Sequence, residues 1–191
     1  GEVMKRIPLY VSIIVLLAAA ASASSVEERV ARSRQAVKEF AGKLKGELLA
    51  ALEEGGPVSA VSVCSEKAPA IAGGISRDKG WEIGRTSLRI RNTENAPDSW
   101  EQKTLESFEE RRKSGEDLTK MEHSEVVTAN GKSVFRYMKA IPVGKPCLTC
   151  HGKGIVPDLA AKLKELYPED RATGFSLGEI RGAFTITQPT P

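Results

Sequence analysis

Residues 118–143, LTKMEHSEVVTANGKSVFRYMKAIPV, decide the fold class. Two runs of β-forming residues flank Asn130-Gly131, a dipeptide suited to the positive-φ positions of a tight hairpin turn. The pattern predicts an antiparallel pair of strands. Directly behind the second strand comes VGKPCLTCHGKG (143–154), which holds two of the chain's three cysteines and one of its two histidines. A hairpin that delivers a reactive cluster points to a sheet serving as a platform for chemistry.

Working outward, Val156 to Tyr167 reads as a short helix with Pro157 near its start and Pro168 beyond its end. IRGAFTITQ (180–188) reads as a last strand. Upstream, WEIGRTSLRIR (81–91) alternates like a strand, with Gly84 a candidate bulge. The segment from Asn92 to Asp117 reads as a turn and then a helix. Pro97 is expected in its first turn, with Trp100, Leu105 and Phe108 on its buried side. Val26, Val30, Val37, Phe40, Leu44, Leu48 and Leu52 repeat at helical spacing, and Gly55-Gly56 should end that helix. In the next segment Val61, Cys64, Ala68, Ile71 and Ile75 share one stripe, so Cys64 should face inward. Pro69 should distort that helix just after Cys64, because it lacks an N–H and crowds the preceding turn. The order predicts a single α+β domain over 24–191, an antiparallel sheet of four or five strands with the N-terminal helices packed on it.

Composition fits this. The 191 residues are 40% hydrophobic and 28% charged, with a formal charge of +3. No cluster of Lys and Arg stands out, so nucleic acid is not an expected partner. The N-terminal stretch MKRIPLYVSIIVLLAAAASASS is built like an export signal. Lys5 and Arg6 precede an apolar run from Ile7 to Ala21, and Ala21-Ser22-Ala23 fits a cleavage site. Cleavage would make residues 1–23 a leader, with Gly1 to Val3 a short upstream extension, and would place the domain in the periplasm. Without cleavage the same segment would be a membrane anchor. Three cysteines in an exported chain leave at least one outside any intramolecular disulfide.

Cys147-Leu148-Thr149-Cys150-His151 is C-x-x-C-H, the attachment signature of haem c. Two thiols three positions apart suit the two vinyl groups of one porphyrin, and the next imidazole suits its iron. A thioredoxin-type dithiol, a zinc site and a plain disulfide are the competing readings. The first lacks its α/β setting, the second lacks a fourth ligand, and the third leaves His151 without a role. The residues alone leave the second axial position open among Cys64, His123, Met121 and Met138. His123 reads as a surface residue, and both methionines read as core. Arg85, Arg89, Arg91 and Arg136 are candidates to meet haem propionates, with Arg85 and Arg136 flanking the expected pocket. Trp81 and Tyr137 read as core.

AVSVCSEKAPAIA (60–72), GWEIGRTSLRIRNTENAPDSWE (80–101), VFRYMKAIPV (134–143) and CLTCHG (147–152) together resemble a family of small exported single-haem c-type proteins with a PAS-like fold. The resemblance covers nearly all of the chain after the leader. It implies axial ligation by His151 and Cys64. A thiolate ligand favours Fe(III), so a low potential is expected. The resemblance implies the cofactor more than the role; electron transfer with a redox partner is the expected function, with redox or gas sensing through a separate signalling protein as the alternative. No acid–base pair accompanies the motif, so an enzyme is not expected.

Overall fold

The computed structural model describes residues 9–129 and 131–190, with side-chain surroundings described for 25–128 and 131–190. The expected leader and its cleavage site therefore lie outside the described side chains. Helix α1 (Leu9–Ser62) is broken at Gly56, whose φ of 70° is left-handed. The break falls at the Gly55-Gly56 stop that the sequence places there. A π-turn, Val63–Lys67, joins α1 to α2 (Ala68–Lys79), and its closing bond runs from the Ala68 N–H to the Val63 carbonyl. Pro69 explains the wide turn. An α-helix would bring its ring against the Ser65 carbonyl and leave that carbonyl without a donor.

Strand β1 (Glu82–Thr86) follows, then α3 (Ser99–Lys113), β2 (Glu122–Ala129), β3 (Lys132–Pro142), the short α4 (Leu148–His151), α5 (Pro157–Leu166) and β4 (Ile180–Pro189). The strands form one antiparallel sheet in the order β1-β4-β3-β2. Ala129 pairs with Lys132, which fixes the expected two-residue hairpin link.

Alternation on the strands sorts the core into two layers. On one face Phe135, Tyr137, Ile83 and Ile186 pack against Ala36 and Phe40 of α1 and Ile75 of α2. On the other, Met138, Ala140 and Ala183 pack with Met121 against Leu105 and Phe108 of α3. Met121 and Met138 are both fully buried, in keeping with their reading as core.

Three local expectations change. The register across Gly84 is regular, and the irregularity falls at Ile141/Pro142 instead. Pro97 lies outside α3. Asp98 is the N-cap, accepting from the Trp100 and Glu101 N–H groups while Glu101 accepts from the Asp98 N–H in return. Trp100 stays half-buried and stacks on His123 at 5.6 Å.

The first strand also ends at Thr86 rather than running to Arg91. Ser87 turns the chain there, donating to the Arg181 carbonyl at 2.7 Å and accepting from the Arg89 N–H at 3.1 Å. Gly182 permits the corner, because a Cβ on it would lie 2.3 Å from the Thr86 oxygen and 3.0 Å from the Ser87 Cβ. Gly182→Ala is therefore expected to cost about 2–3 kcal/mol, in the range of local backbone strain. Urea denaturation of the full chain measures it, and an unchanged midpoint would contradict the close approach. This corner sends Ile90, Arg91 and Asn92 away from the sheet and toward a cavity.

Candidate functional site

A cavity of about 240 Å³ opens between α1, the end of the sheet and the α4 segment. Its wall includes Cys64, Cys147, Cys150 and His151, so residues more than eighty positions apart in sequence meet there. Leu44, Leu48, Ala60 and Val61 of α1 supply an apolar side. The cysteines are all free thiols.

Each donor is positioned by identifiable contacts. A 3₁₀ turn, Lys145–Cys147, runs straight into α4 and sets Cys147, Cys150 and His151 on consecutive turns of tight helix. Cys150 packs with Val61, Leu159, Leu163 and Tyr167, which holds α4 against α1 and α5. Burial pushes the Cys150 thiol up from its ordinary pKa. Cys147 and Leu148 pack on Val143, Ala172 and Phe175. The inward stripe of the second helix survives the π-turn: Val61, Ala68 and Ile75 are buried, and Cys64 reaches the cavity wall.

His151 is the most closely controlled group. Its Nδ1–H donates to the Ala172 carbonyl at 2.7 Å, and its ring meets Phe175 edge-on at 6.2 Å. Burial first, and then the positive fields of Arg181 and Arg91, drive its pKa down to about 2. The ring is therefore neutral at working pH, with its proton on Nδ1. That leaves the Nε2 lone pair on the cavity side, where the Arg181 Nε–H donates to it at 3.4 Å. This is the tautomer a metal-binding imidazole needs, with a backbone carbonyl fixing the ring.

The Ala172 carbonyl is held in turn by Arg91 and Asp170. Arg91 donates from Nε to Asp170 Oδ2 at 3.0 Å, Nη2 lies 3.0 Å from the same oxygen, and Nη2 donates to the Cys150 carbonyl at 2.6 Å and the Ala172 carbonyl at 3.2 Å. Asp170 Oδ1 accepts from the Ala172 N–H at 2.7 Å. The pair is nearly buried, with 7% and 10% of the two side chains exposed. It clamps the 170–172 loop beside α4.

The four arginines named from the sequence separate. Arg85 and Arg91 line the cavity. Arg89 instead lies over the Phe175 ring at 3.8 Å and pairs with Glu179. Arg136 is corrected: it does not line the cavity. Its guanidinium pairs with Asp98 at 2.5 Å and Glu101 at 3.1 Å and covers the Trp100 ring at 4.5 Å. Alternation is the reason. On β3, Phe135, Tyr137 and Ile141 face α1 and the cavity side, so Arg136 faces α3. Arg181 went unnamed from the sequence, although a lone arginine heading the apolar run of β4 was the available signal. Asp170 and the Ala172 carbonyl gave none, since they lie in an irregular loop.

Among the described residues no group of three or more His, Cys, Asp or Glu could hold a metal ion. The donors stand around a space instead of converging on a point. That suits a broad planar group tethered at its edge and ligated at its centre.

The family model described as Tll0287-like: Tll0287 matches residues 14–189. The chain belongs to the Tll0287-like family. A similar solved structure is that of the cyanobacterial heme-protein Tll0287, at a TM-score of 0.67 and 24% identity, covering 86% of this chain and 96% of that one. At this identity the likeness supports the fold, the α+β arrangement of a four-stranded antiparallel sheet with N-terminal helices. No curated protein matches the chain. For a Tll0287-like chain, then, the donor set must be argued from its own cavity.

Proposed function

We propose that this chain is an exported, periplasmic c-type haem protein that transfers electrons to or from a redox partner at low potential. One observation carries the reading: Cys147, Cys150, His151 and Cys64 share one cavity. The family and the heme-protein relative support it. The donor chemistry also fits the group. Two thiols of one short helical segment, Cys147 on the 3₁₀ turn and Cys150 on α4, suit its two vinyl groups, a neutral imidazole presents Nε2, and a third thiol comes from another segment. Bound there, haem supplies a one-electron Fe(III)/Fe(II) couple.

The chain's residues do the rest. Cys147 and Cys150 make the tether permanent. The Ala172 carbonyl holds the His151 ring through Nδ1–H and makes Nε2 more basic. Cys64, as a thiolate, donates electron density that favours the oxidised iron and lowers the potential. Leu44, Leu48 and Val61 exclude water from one side.

The test is the full chain expressed in a host competent for c-type maturation. The wild type should keep haem on a denaturing gel and gain the mass of one haem. A Cys147→Ala/Cys150→Ala variant should lose both signals. Wild-type material at apoprotein mass, with no bound tetrapyrrole, would defeat the reading.

A further inference from the structure

Three guanidinium groups line the cavity: Arg85, Arg91 and Arg181. Among the described residues only Arg91 has a carboxylate partner, Asp170. Among the described residues Arg85 makes no hydrogen bond or ion pair, and its guanidinium merely passes the Phe40 ring at 5.7 Å. Arg181 donates to neutral acceptors alone: His151 Nε2 at 3.4 Å, and Ser87 Oγ and the Arg89 carbonyl at 3.2 Å each. Burial lowers the pKa of both groups, against the opposing pull of Cys64 and Tyr167 at Arg85; at Arg181, where Arg91 and Arg85 add to the effect, it falls to about 10. Guanidinium groups withdrawn from water without a hydrogen-bonded anion are costly, and among the described residues Arg85 and Arg181 each lack a carboxylate partner. Guanidinium groups match carboxylates through paired N–H donors.

We propose that Arg85 and Arg181 form a clamp for the two propionate carboxylates of the bound haem, and that Arg181 releases His151 Nε2 as the clamp closes. This rests on the haem reading above and extends it. The Arg181 Nε–H occupies the lone pair that iron requires, through a long bond to a neutral acceptor. A carboxylate offers the same guanidinium an anion and room for two parallel N–H bonds, where His151 offers one neutral nitrogen at 3.4 Å. Binding the carboxylates therefore frees the ligand nitrogen. The exchange couples recognition of the haem's acidic edge to ligation at its centre.

The test uses the full apo-chain and two probes, iron(III) mesoporphyrin IX and its dimethyl ester. Neither has vinyl groups, so neither forms thioethers. Optical titration of the wild type should show the free acid binding about ten- to a hundredfold more tightly than the ester, the scale of a hydrogen bond to a charged group. Arg85→Gln/Arg181→Gln should bring the two affinities within about twofold of each other, since the donors that discriminate are gone. Arg181→Lys, which keeps the charge but loses the fork, should fall between. Equal binding of acid and ester by the wild type, with axial-thiolate spectra, would overturn the clamp and leave the haem reading standing. Failure of both probes to bind would overturn the haem reading and the clamp with it. The wild-type comparison decides the matter even if a variant folds poorly.

Discussion

Asp170→Asn is expected to destabilise the chain by about 3 kcal/mol, the cost of breaking a buried pair from one side. The substitution keeps the shape of the side chain and removes its charge. Arg91 would stay nearly buried, its Nε and Nη2 facing a neutral group where each now meets Oδ2 at 3.0 Å. With a urea slope of about 1–3 kcal/mol per molar, the midpoint should fall by roughly 1–3 M. The effect should also reach the site. Asp170 holds the Ala172 N–H, and the Ala172 carbonyl holds the His151 ring. In the haem-loaded chain a loosened imidazole should broaden the Soret band and shift the potential. Asp170→Ala should behave at least as badly. A midpoint unchanged from wild type in Asp170→Asn would show that the pair contributes nothing net and that the loop is held by its backbone bonds alone.

Cys64→Ser is expected to have the largest effect on the proposed redox chemistry. The swap is nearly isosteric, so the π-turn and its packing should persist. A serine hydroxyl stays protonated where a thiol can ionise and bind iron. Removing the thiolate should raise the midpoint potential by on the order of 0.1–0.3 V, a moderate part of the roughly 0.8 V that axial ligands span. The ferric spectrum should change from low-spin thiolate-ligated to high-spin or water-ligated. Spectroelectrochemical titration of loaded wild type and variant measures both. An identical ferric spectrum would remove Cys64 from the iron. The same experiment bears on sensing. If Cys64 leaves the reduced iron in the wild type, ferrous protein should bind carbon monoxide readily.

What could be read from the chain divides along a physical line. Elements fixed by short-range patterns were legible. The Asn130-Gly131 dipeptide announces a hairpin in the sequence, and Ala129 pairs with Lys132 in the sheet. The stripe through Val61, Cys64, Ala68 and Ile75 placed a cysteine inward before any fold was known, and Pro69 marked the distortion beside it. Elements fixed by distant partners were not legible. The end of β1 depends on Gly182 lying against Thr86, almost a hundred residues away. Asp170 matters only because Arg91 reaches it across 79 positions. Arg136 is instructive in a different way. Its place between Phe135 and Tyr137 already assigned it to the opposite side of the sheet, so period-two reasoning carried one step further would have kept it out of the pocket. Asp98, three residues ahead of Glu101, likewise announced a helix start that Pro97 obscured.

The π-turn gives the chain a length rule. Its ring spans one more residue than an α-turn, so Val63–Lys67 accommodates a surplus position. Shortening that segment by a single residue would remove the surplus position and force a tighter turn against the Pro69 ring. Each α-helical residue turns the chain by about 100°. Either the thiol would then point away from the void or the helix before it would have to rotate against the sheet. Insertions and deletions should therefore be far less tolerable between Cys64 and Pro69 than in the loops at the opposite edge of the domain.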